Sequence, residues 1–314
     1  MSGKEKLNSH IDSLIGVLKS LALLLPLLLI APKLVNATPL TVAVTIVPQK
    51  YFVDQIGKSK VKVMVMVPPG ANPHSYEPRP QQMIALSKAK IYLTIGVEFE
   101  RAWLGKIIGQ NKNIKVFHME EDVKRISLPT LSGRSFKNSP RDDFYRKVKT
   151  QQTKTDPHIW LSPPLAKKIA ENTARALVSA DPENAEFYRH NLESLITLIE
   201  EIDREIRNIL RKKKGCAFLV LHPAWGYFAR RYDLLEVPIE IEGKEPSPKE
   251  LKEIVQFARK RRIRAILVEP QFSEKIARII AQEIKAKLVP VDPLAYDWPV
   301  NMIKVARIIA EISK

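Results

Sequence analysis

Residues 181–215 have the sequence DPENAEFYRHNLESLITLIEEIDREIRNILRKKKG, and this stretch decides the fold. Asp181 can serve as an N-cap and Pro182 stands at the first helical position, so a helix is predicted to begin there. Apolar residues then recur at helical spacing until Gly215. About 32 helical residues would span roughly 48 Å. This length suits a rigid helix that links two lobes, and the alternative is a long packed helix within one domain.

Short apolar strands and helix-period segments alternate on both sides of this helix. The predicted strands are residues 40–47, 61–67, 91–95 and 114–117 in the first half, and 217–221, 265–268 and 287–291 in the second. The predicted helices cover residues 80–88, 248–260, 273–285 and 299–313. Such alternation is typical of parallel sheets with helices on both faces. We therefore predict an α/β protein of two lobes, each a mostly parallel sheet flanked by helices, joined by one long rigid helix.

The domain boundaries follow from this order. The N-terminal lobe is predicted to cover residues 38–180, the linking helix 181–214 and the C-terminal lobe 215–314. Within the first lobe, residues 119–156 form a polar segment without clear periodicity. A segment of this length is typical of a functional loop or a disordered one.

Residues 1–37 are predicted to be a signal peptide. Lysines precede the apolar residues 21–31, which are too few for a comfortable membrane span, and residues 35–37 (VNA) offer the small side chains that a signal peptidase reads. No cysteine lies near this point, which excludes a lipid-anchored form. The alternative is an uncleaved anchor. We expect an exported protein, periplasmic or tethered outside the membrane if the segment is retained.

The composition is that of an ordinary globular chain and excludes several classes of protein. Hydrophobic residues make up 45% of the 314 residues and charged residues 27%, which argues against disorder. A single cysteine, Cys216, excludes an internal disulfide and a cysteine-ligated metal cluster. The net charge of +17 is spread over helical segments that also carry Glu. We interpret it as solvated helix faces and expect no nucleic-acid partner.

Three of the six histidines stand where ligands gather in an α/β sheet. His222 directly follows a predicted strand, His74 lies in the segment PPGANPH after another, and His158 lies in TDPHIWLSP at the end of the polar segment. Open α/β sheets bind ligands beyond the carboxyl ends of their strands. The carboxylates of Glu269 and Asp292 follow strands in the same way.

Three imidazoles and one carboxylate form a zinc-type ligand set. Neutral imidazole nitrogen binds Zn²⁺ well, and a carboxylate offsets part of the charge. Because the ligands come from both lobes, we expect one divalent ion between the lobes. Glu269 is either a substitute ligand or an acceptor for an imidazole N–H.

Several short motifs, in this order, resemble those of a known family. They are VPPGANPHSYEP at 67–78, GVEFE at 96–100, DPHIWLSP at 156–163, HPAWGYF at 222–228, EPQF at 269–272 and DPL at 292–294. From about residue 40 to residue 312, the chain is similar to the solute-binding receptors of zinc and manganese ABC importers, the ZnuA/TroA type.

The resemblance implies two lobes joined by a rigid helix, with metal in the cleft between them. It maps the metal ligands onto His74, His158 and His222, with Asp292 as the fourth. The implied function is a high-affinity receptor that captures Zn²⁺ and delivers it to an inner-membrane ABC permease and its ATPase. Such a receptor is not an enzyme, and we expect a monomer. In the manganese branch the position of His222 is usually glutamate, so imidazole there favours zinc.

The sequence departs from zinc receptors of this type at three places. Residues 119–157 contain no histidine, so a metal-collecting loop is doubtful. Pro73 stands where some zinc receptors have Glu, and Cys216 has no partner for the disulfide that some carry. Water is the alternative to Asp292 as the fourth ligand.

Three other functions stay open at this point. A manganese or iron receptor of the same family is the nearest, with Mn²⁺ as cargo. A secreted zinc hydrolase would use an open three-ligand site with Glu269 as base, although the sequence has neither His-Glu-x-x-His nor Gly-x-Ser-x-Gly. An exported adhesive protein would bind acidic polymers through its basic surface.

Overall fold

The computed structural model describes residues 38–128, 155–240 and 245–312. The predicted signal peptide and most of the polar segment 119–156 lie outside the described residues. Within the described ranges, no helix combines the length and the apolar character needed to cross a membrane.

The first sheet has four parallel strands in the order β2-β1-β3-β4. These strands are β1 (Leu40–Val44), β2 (Val61–Val65), β3 (Ile91–Thr94) and β4 (Lys115–His118). The helices around them are α1 (Val47–Gly57), α2 (Pro80–Leu86), α3 (Glu98–Gln110) and α4 (Pro163–Ala180). The central strand β3 is buried along its whole length, whereas the edge strand β4 is half-buried or exposed. A sheet covered on both faces explains why its central strands are continuous apolar runs.

The first predicted strand, 40–47, is shorter in the structure because a helix begins inside it. The side chain of Gln49 turns back, and its Oε1 accepts hydrogen bonds from the backbone N–H groups of Thr45 and Ile46, both at 2.9 Å. These two bonds satisfy donors that would otherwise be unpaired at the start of α1. The apolar run therefore changes from strand to helix near Ile46 without any turn residue to mark the change.

The long helix, α5 (Ala185–Leu210), is shorter than the predicted 181–214. Asp181 and Pro182 start a separate 3₁₀ turn, Pro182–Asn184, and Asp181 accepts a hydrogen bond from the Tyr188 hydroxyl at 2.5 Å. The four consecutive basic residues 211–214 follow the last turn and lie outside the helix. With 26 residues, α5 spans about 39 Å.

One face of α5 is apolar and packs on other helices. Its buried apolar residues fall at helical spacing: Tyr188, Leu195, Ile199, Ile202, Ile206 and Leu210. They contact α1 and α4 of the first lobe and a helix at the C-terminal end of the chain, α9, whose bounds follow below. Burial of each such side chain stabilises the fold by roughly 1.5–3 kcal/mol. The long helix is thus held along its length and is not an isolated rod.

The second sheet repeats the strand order of the first, β6-β5-β7-β8, and is again parallel. Its strands are β5 (Ala217–Val220), β6 (Leu235–Pro238), β7 (Ala265–Val268) and β8 (Lys287–Pro290). The helices are α6 (Gly226–Arg231), α7 (Pro248–Lys260), α8 (Lys275–Ile284) and α9 (Trp298–Ile312). The predicted α/β fold, two lobes of parallel sheet flanked by helices, is confirmed. The sequence did not predict β6, a four-residue strand that contains Glu236.

Buried hydrogen bonds join the two lobes. The Trp160 indole N–H donates to the carbonyl of Pro293 at 2.8 Å, and the Trp298 indole N–H donates to the carbonyl of Trp160 at 2.7 Å. The Tyr227 hydroxyl donates to the carbonyl of Asp156 at 3.0 Å. Trp298 also packs on Phe52 of α1, with the ring centres 5.7 Å apart. The C-terminal helix α9 therefore returns to the first lobe and fixes the lobes to each other.

Asp203 of the long helix α5 makes polar contacts with α6 of the second lobe. Its carboxylate accepts hydrogen bonds from Arg231 of α6 at 2.6 and 3.0 Å, from the Tyr232 hydroxyl at 2.9 Å and from Arg207 at 2.5 Å. We expect Asp203→Asn to destabilise the protein by about 1–3 kcal/mol, since the charge-assisted bonds are lost while the arginines stay in place.

Urea unfolding at neutral pH measures this effect. The matched control is Glu201→Gln, because Glu201 is exposed and lies 3.9 Å from Arg204 on the same helix. That control should change the free energy of unfolding by less than about 0.5 kcal/mol. Equal stability of the two variants would show that Asp203 does not join α5 to α6.

Candidate metal centre

Each of the three predicted histidines lies in a loop or turn fixed by local hydrogen bonds. The backbone N–H of His74 donates to Oδ1 of Asn72, and that of His158 donates to Oδ1 of Asp156, both at 2.9 Å. His222 comes two residues after β5, and its backbone N–H donates to Oε2 of Glu269 at 3.2 Å. The three imidazoles are therefore positioned by rigid local backbone.

The three imidazoles come together at one point between the lobes. Each offers one ring nitrogen, and these three nitrogens lie within 4.8 Å of one another. The Nε2 atoms of His74 and His222 are 3.3 Å apart. A cavity of about 20 Å³ adjoins the three rings, which is room for one water-sized occupant. Within the described residues, this is the one group of three or more metal-binding side chains at such distances.

A carboxylate contacts the outer nitrogen of each imidazole. Nδ1 of His74 lies 2.8 Å from Glu98, Nδ1 of His158 lies 2.8 Å from Asp156, and Nδ1 of His222 lies 3.3 Å from Glu240. A carboxylate at Nδ1 holds the proton there and leaves Nε2 unprotonated, with its lone pair free for a metal. This arrangement can bind a divalent cation with three neutral nitrogen ligands.

Electrostatics keep the innermost imidazole neutral. Burial lowers the pKa of His222 well below its usual value, and the neighbouring His158 and His74 lower it further. Burial alone would raise the pKa of Glu98, but its contact with His74 outweighs this effect and lowers that pKa to about 2. The neutral form of His222 and the charged form of Glu98 are the ones that metal binding requires.

Asp292 and Glu269 make other contacts than the predicted ligation in the metal-free structure. Neither carboxylate belongs to the group within 4.8 Å. Oδ1 of Asp292 accepts hydrogen bonds from the side chain of Gln271 at 2.8 Å and from the backbone N–H of Leu294 at 2.9 Å. The carboxylate of Glu269 accepts a hydrogen bond from the backbone N–H of His222 and not from its imidazole. The carboxylate that contacts the imidazole Nδ1 of His222 is that of Glu240.

Four contributors to the site were not assigned a role from the sequence. Glu98 and Asp156 lie in segments already noted, GVEFE and DPHIW. For Asp156 the available signal was its position two residues before His158, whereas Glu98 is 24 residues after His74 and had no such signal. Glu240 follows β6, the strand that was missed. The ring of Phe272 stacks on His222 at 4.2 Å with an interplanar angle of 16°, and no spacing rule connects these two residues.

Two lobes of parallel sheet with three imidazoles at the seam define a metal-binding protein of two-lobed type. The chain belongs to the family described as "Zinc-uptake complex component A periplasmic", which matches residues 42–311. It is similar to a crystal structure of a ZnuA deletion mutant with zinc bound, at 38% identity and a TM-score of 0.79, over 88% of this chain and 99% of the other.

Two similar proteins are named for different metals, one for zinc and one for manganese. The high-affinity zinc uptake system protein ZnuA of Bacillus subtilis is 30% identical over 253 residues, covering 79% of this chain and 76% of the relative. The manganese ABC transporter substrate-binding lipoprotein PsaA of Streptococcus mitis is 27% identical over 243 residues, covering 73% and 71%. The resemblance stated from the motifs is confirmed.

The lowered pKa of His222 predicts an acid-sensitive fold in the metal-free protein. Its stabilising contribution is fully present above its unfolded pKa of about 6.5 and is lost as the pH falls through the lower folded pKa. As the pH falls from about 7.5 to 5, the free energy of unfolding of His222→Gln should therefore decrease less than that of the unsubstituted protein. Urea unfolding with chelator present measures this difference. His190→Gln, at an exposed position, should behave as the unsubstituted protein. If the unsubstituted protein, His222→Gln and His190→Gln all lost stability equally with falling pH, the lowered pKa of His222 would be contradicted.

Proposed function

We propose that this protein is the exported, periplasmic receptor of a zinc ABC importer. It captures Zn²⁺ between the N-terminal lobe, residues 38–180, and the C-terminal lobe, residues 215–314, and presents the ion to an inner-membrane permease and its ATPase. The proposed cycle makes and breaks no covalent bond, so the protein works as a binding receptor and not as an enzyme. It acts as a monomer and without nucleic acid.

The convergence of three ring nitrogens within 4.8 Å carries this proposal. His74, His158 and His222 are the proposed ligands, and Asp292 or water completes the coordination. Three neutral imidazoles suit Zn²⁺, which binds nitrogen well in four-coordinate sites. The family to which the chain belongs supports the same cargo.

A manganese receptor is the second candidate, and the similarity to PsaA favours it. Mn²⁺ prefers oxygen ligands, however, and His222 offers nitrogen. Competition between Zn²⁺ and Mn²⁺ at controlled free-metal concentrations decides between the two candidates.

The closely held lobes support a receptor that binds with little hinge motion, because the hydrogen bonds from Trp160 and Trp298 cross the seam.

We expect His158→Ala to weaken zinc binding by at least about a hundredfold. One of three nitrogen ligands is lost, and this imidazole is buried and held by Asp156, so water replaces it poorly. Calorimetry with a competing chelator measures the affinity. His190→Ala is the matched control, because His190 is exposed on α5 and far in sequence from the site. Unchanged zinc affinity in His158→Ala would overturn the proposed function.

Asp156→Asn tests the carboxylates behind the imidazoles. The amide cannot hold the Nδ1 proton of His158 as a carboxylate does, so we expect zinc affinity to fall by about 10- to 100-fold while the ligand itself is unchanged. Asp122→Asn is the control, since Asp122 is exposed and has a positive φ of 59° that asparagine tolerates. If Asp156→Asn bound zinc as tightly as this control, the carboxylate would have no part in binding.

A further inference from the structure

The carboxylate of Asp292 is hydrogen-bonded to the side chain of Gln271. Strands β7 and β8 are parallel neighbours, so the residues that follow them, Gln271 and Asp292, meet at the same edge of the sheet. Gln271 Nε2 donates to Asp292 Oδ1 at 2.8 Å, and the backbone N–H of Leu294 donates to the same oxygen. Asn301 donates to the Asp292 carbonyl at 2.8 Å. Both the carboxylate and the backbone of Asp292 are therefore fixed.

Only one end of the Gln271 side-chain amide has a hydrogen-bond partner among the described residues. It lines the cavity beside His74, His158 and His222, whereas Asp292 does not. With Nε2 given to Asp292, the buried carbonyl oxygen Oε1 has no hydrogen-bond partner among the described residues. A buried carbonyl without a donor is costly and rare in a folded protein. The bond to Asp292 thus leaves an unpaired oxygen at the cavity, and the fold tolerates it.

We propose that Gln271 determines metal specificity by withholding the Asp292 carboxylate from the imidazole site. This inference rests on the proposed function and adds to it. With Asp292 held, the ion meets three neutral nitrogens, and water takes the remaining position. Zn²⁺ is satisfied by such a four-coordinate set. Mn²⁺ needs more oxygen ligands, and a released carboxylate would supply one with negative charge. Gln271 therefore disfavours Mn²⁺ more than Zn²⁺.

Gln271→Ala tests this role. The variant frees Asp292 Oδ1 from one of its two donors and opens space toward the imidazoles. We expect Mn²⁺ affinity to rise about tenfold and Zn²⁺ affinity to rise less, so that the ratio of zinc to manganese affinity falls. Chelator competition with each metal alone gives the two affinities, and thermal unfolding of each metal-free variant shows that it is folded. Gln282→Ala, at an exposed position on α8, is the matched control.

Two further variants separate specificity from a structural effect. Asp292→Asn alone should leave zinc affinity within about threefold, because this inference makes water, and not the Asp292 carboxylate, the fourth ligand. The double variant Gln271→Ala, Asp292→Asn should return the metal ratio to that of the original chain. A large loss of zinc binding in Asp292→Asn, or an unchanged ratio in Gln271→Ala, would overturn this inference but not the proposed function. If the unsubstituted protein bound neither metal, both this inference and the proposed function would be overturned.

Discussion

The structure depends on keeping three ring nitrogens within 4.8 Å of one another, although two of their residues are 148 positions apart in the sequence. Contacts between the imidazoles alone are too weak to bring together residues so distant in the sequence, so the rest of the chain must hold them there. The indole bonds of Trp160 and Trp298 do this across the seam, and the continuous apolar core that includes residues of both lobes does it beneath them. Rigid placement lowers the entropy that a metal must remove on binding.

The same constraint explains the buried carboxylates. Glu98, Asp156 and Glu240 each sit behind one imidazole, which sets the ring orientation and the nitrogen that faces the ion. Glu240 is largely buried, and burial raises its pKa to about 7. This pKa leaves it partly protonated near neutral pH, so the negative charge behind His222 is weaker than that behind His74. The three imidazoles are similar as ligands but differ in their electrostatic surroundings.

The sequence predicted the fold and the three imidazoles because both follow from local patterns. Apolar runs, helix spacing and the turn residues around His74 and His158 are visible over a few positions. What it did not predict depends on contacts across the fold. The strand β6 is short and contains a buried glutamate, Glu236, so it lacks an apolar signature. Because β6 was not predicted, Glu240, which follows it, was not recognised as a site residue. The position of Asp292 depends on the side-chain amide of Gln271, which lies in the turn after β7.

The net charge of +17 does not oppose the binding of a cation, because distance and solvent separate the surface from the site. Each imidazole has a carboxylate within 3.3 Å of its Nδ1, whereas Arg101, which contacts the other oxygen of Glu98 at 3.4 Å, has 57% of its side chain exposed. Exposed charges are screened over about 8–10 Å in salt, while buried ones are screened much less. A dication between the lobes therefore senses the buried carboxylates more strongly than the basic helices. The overall charge of the chain describes its surface and carries no information about the sign of the field at the metal centre.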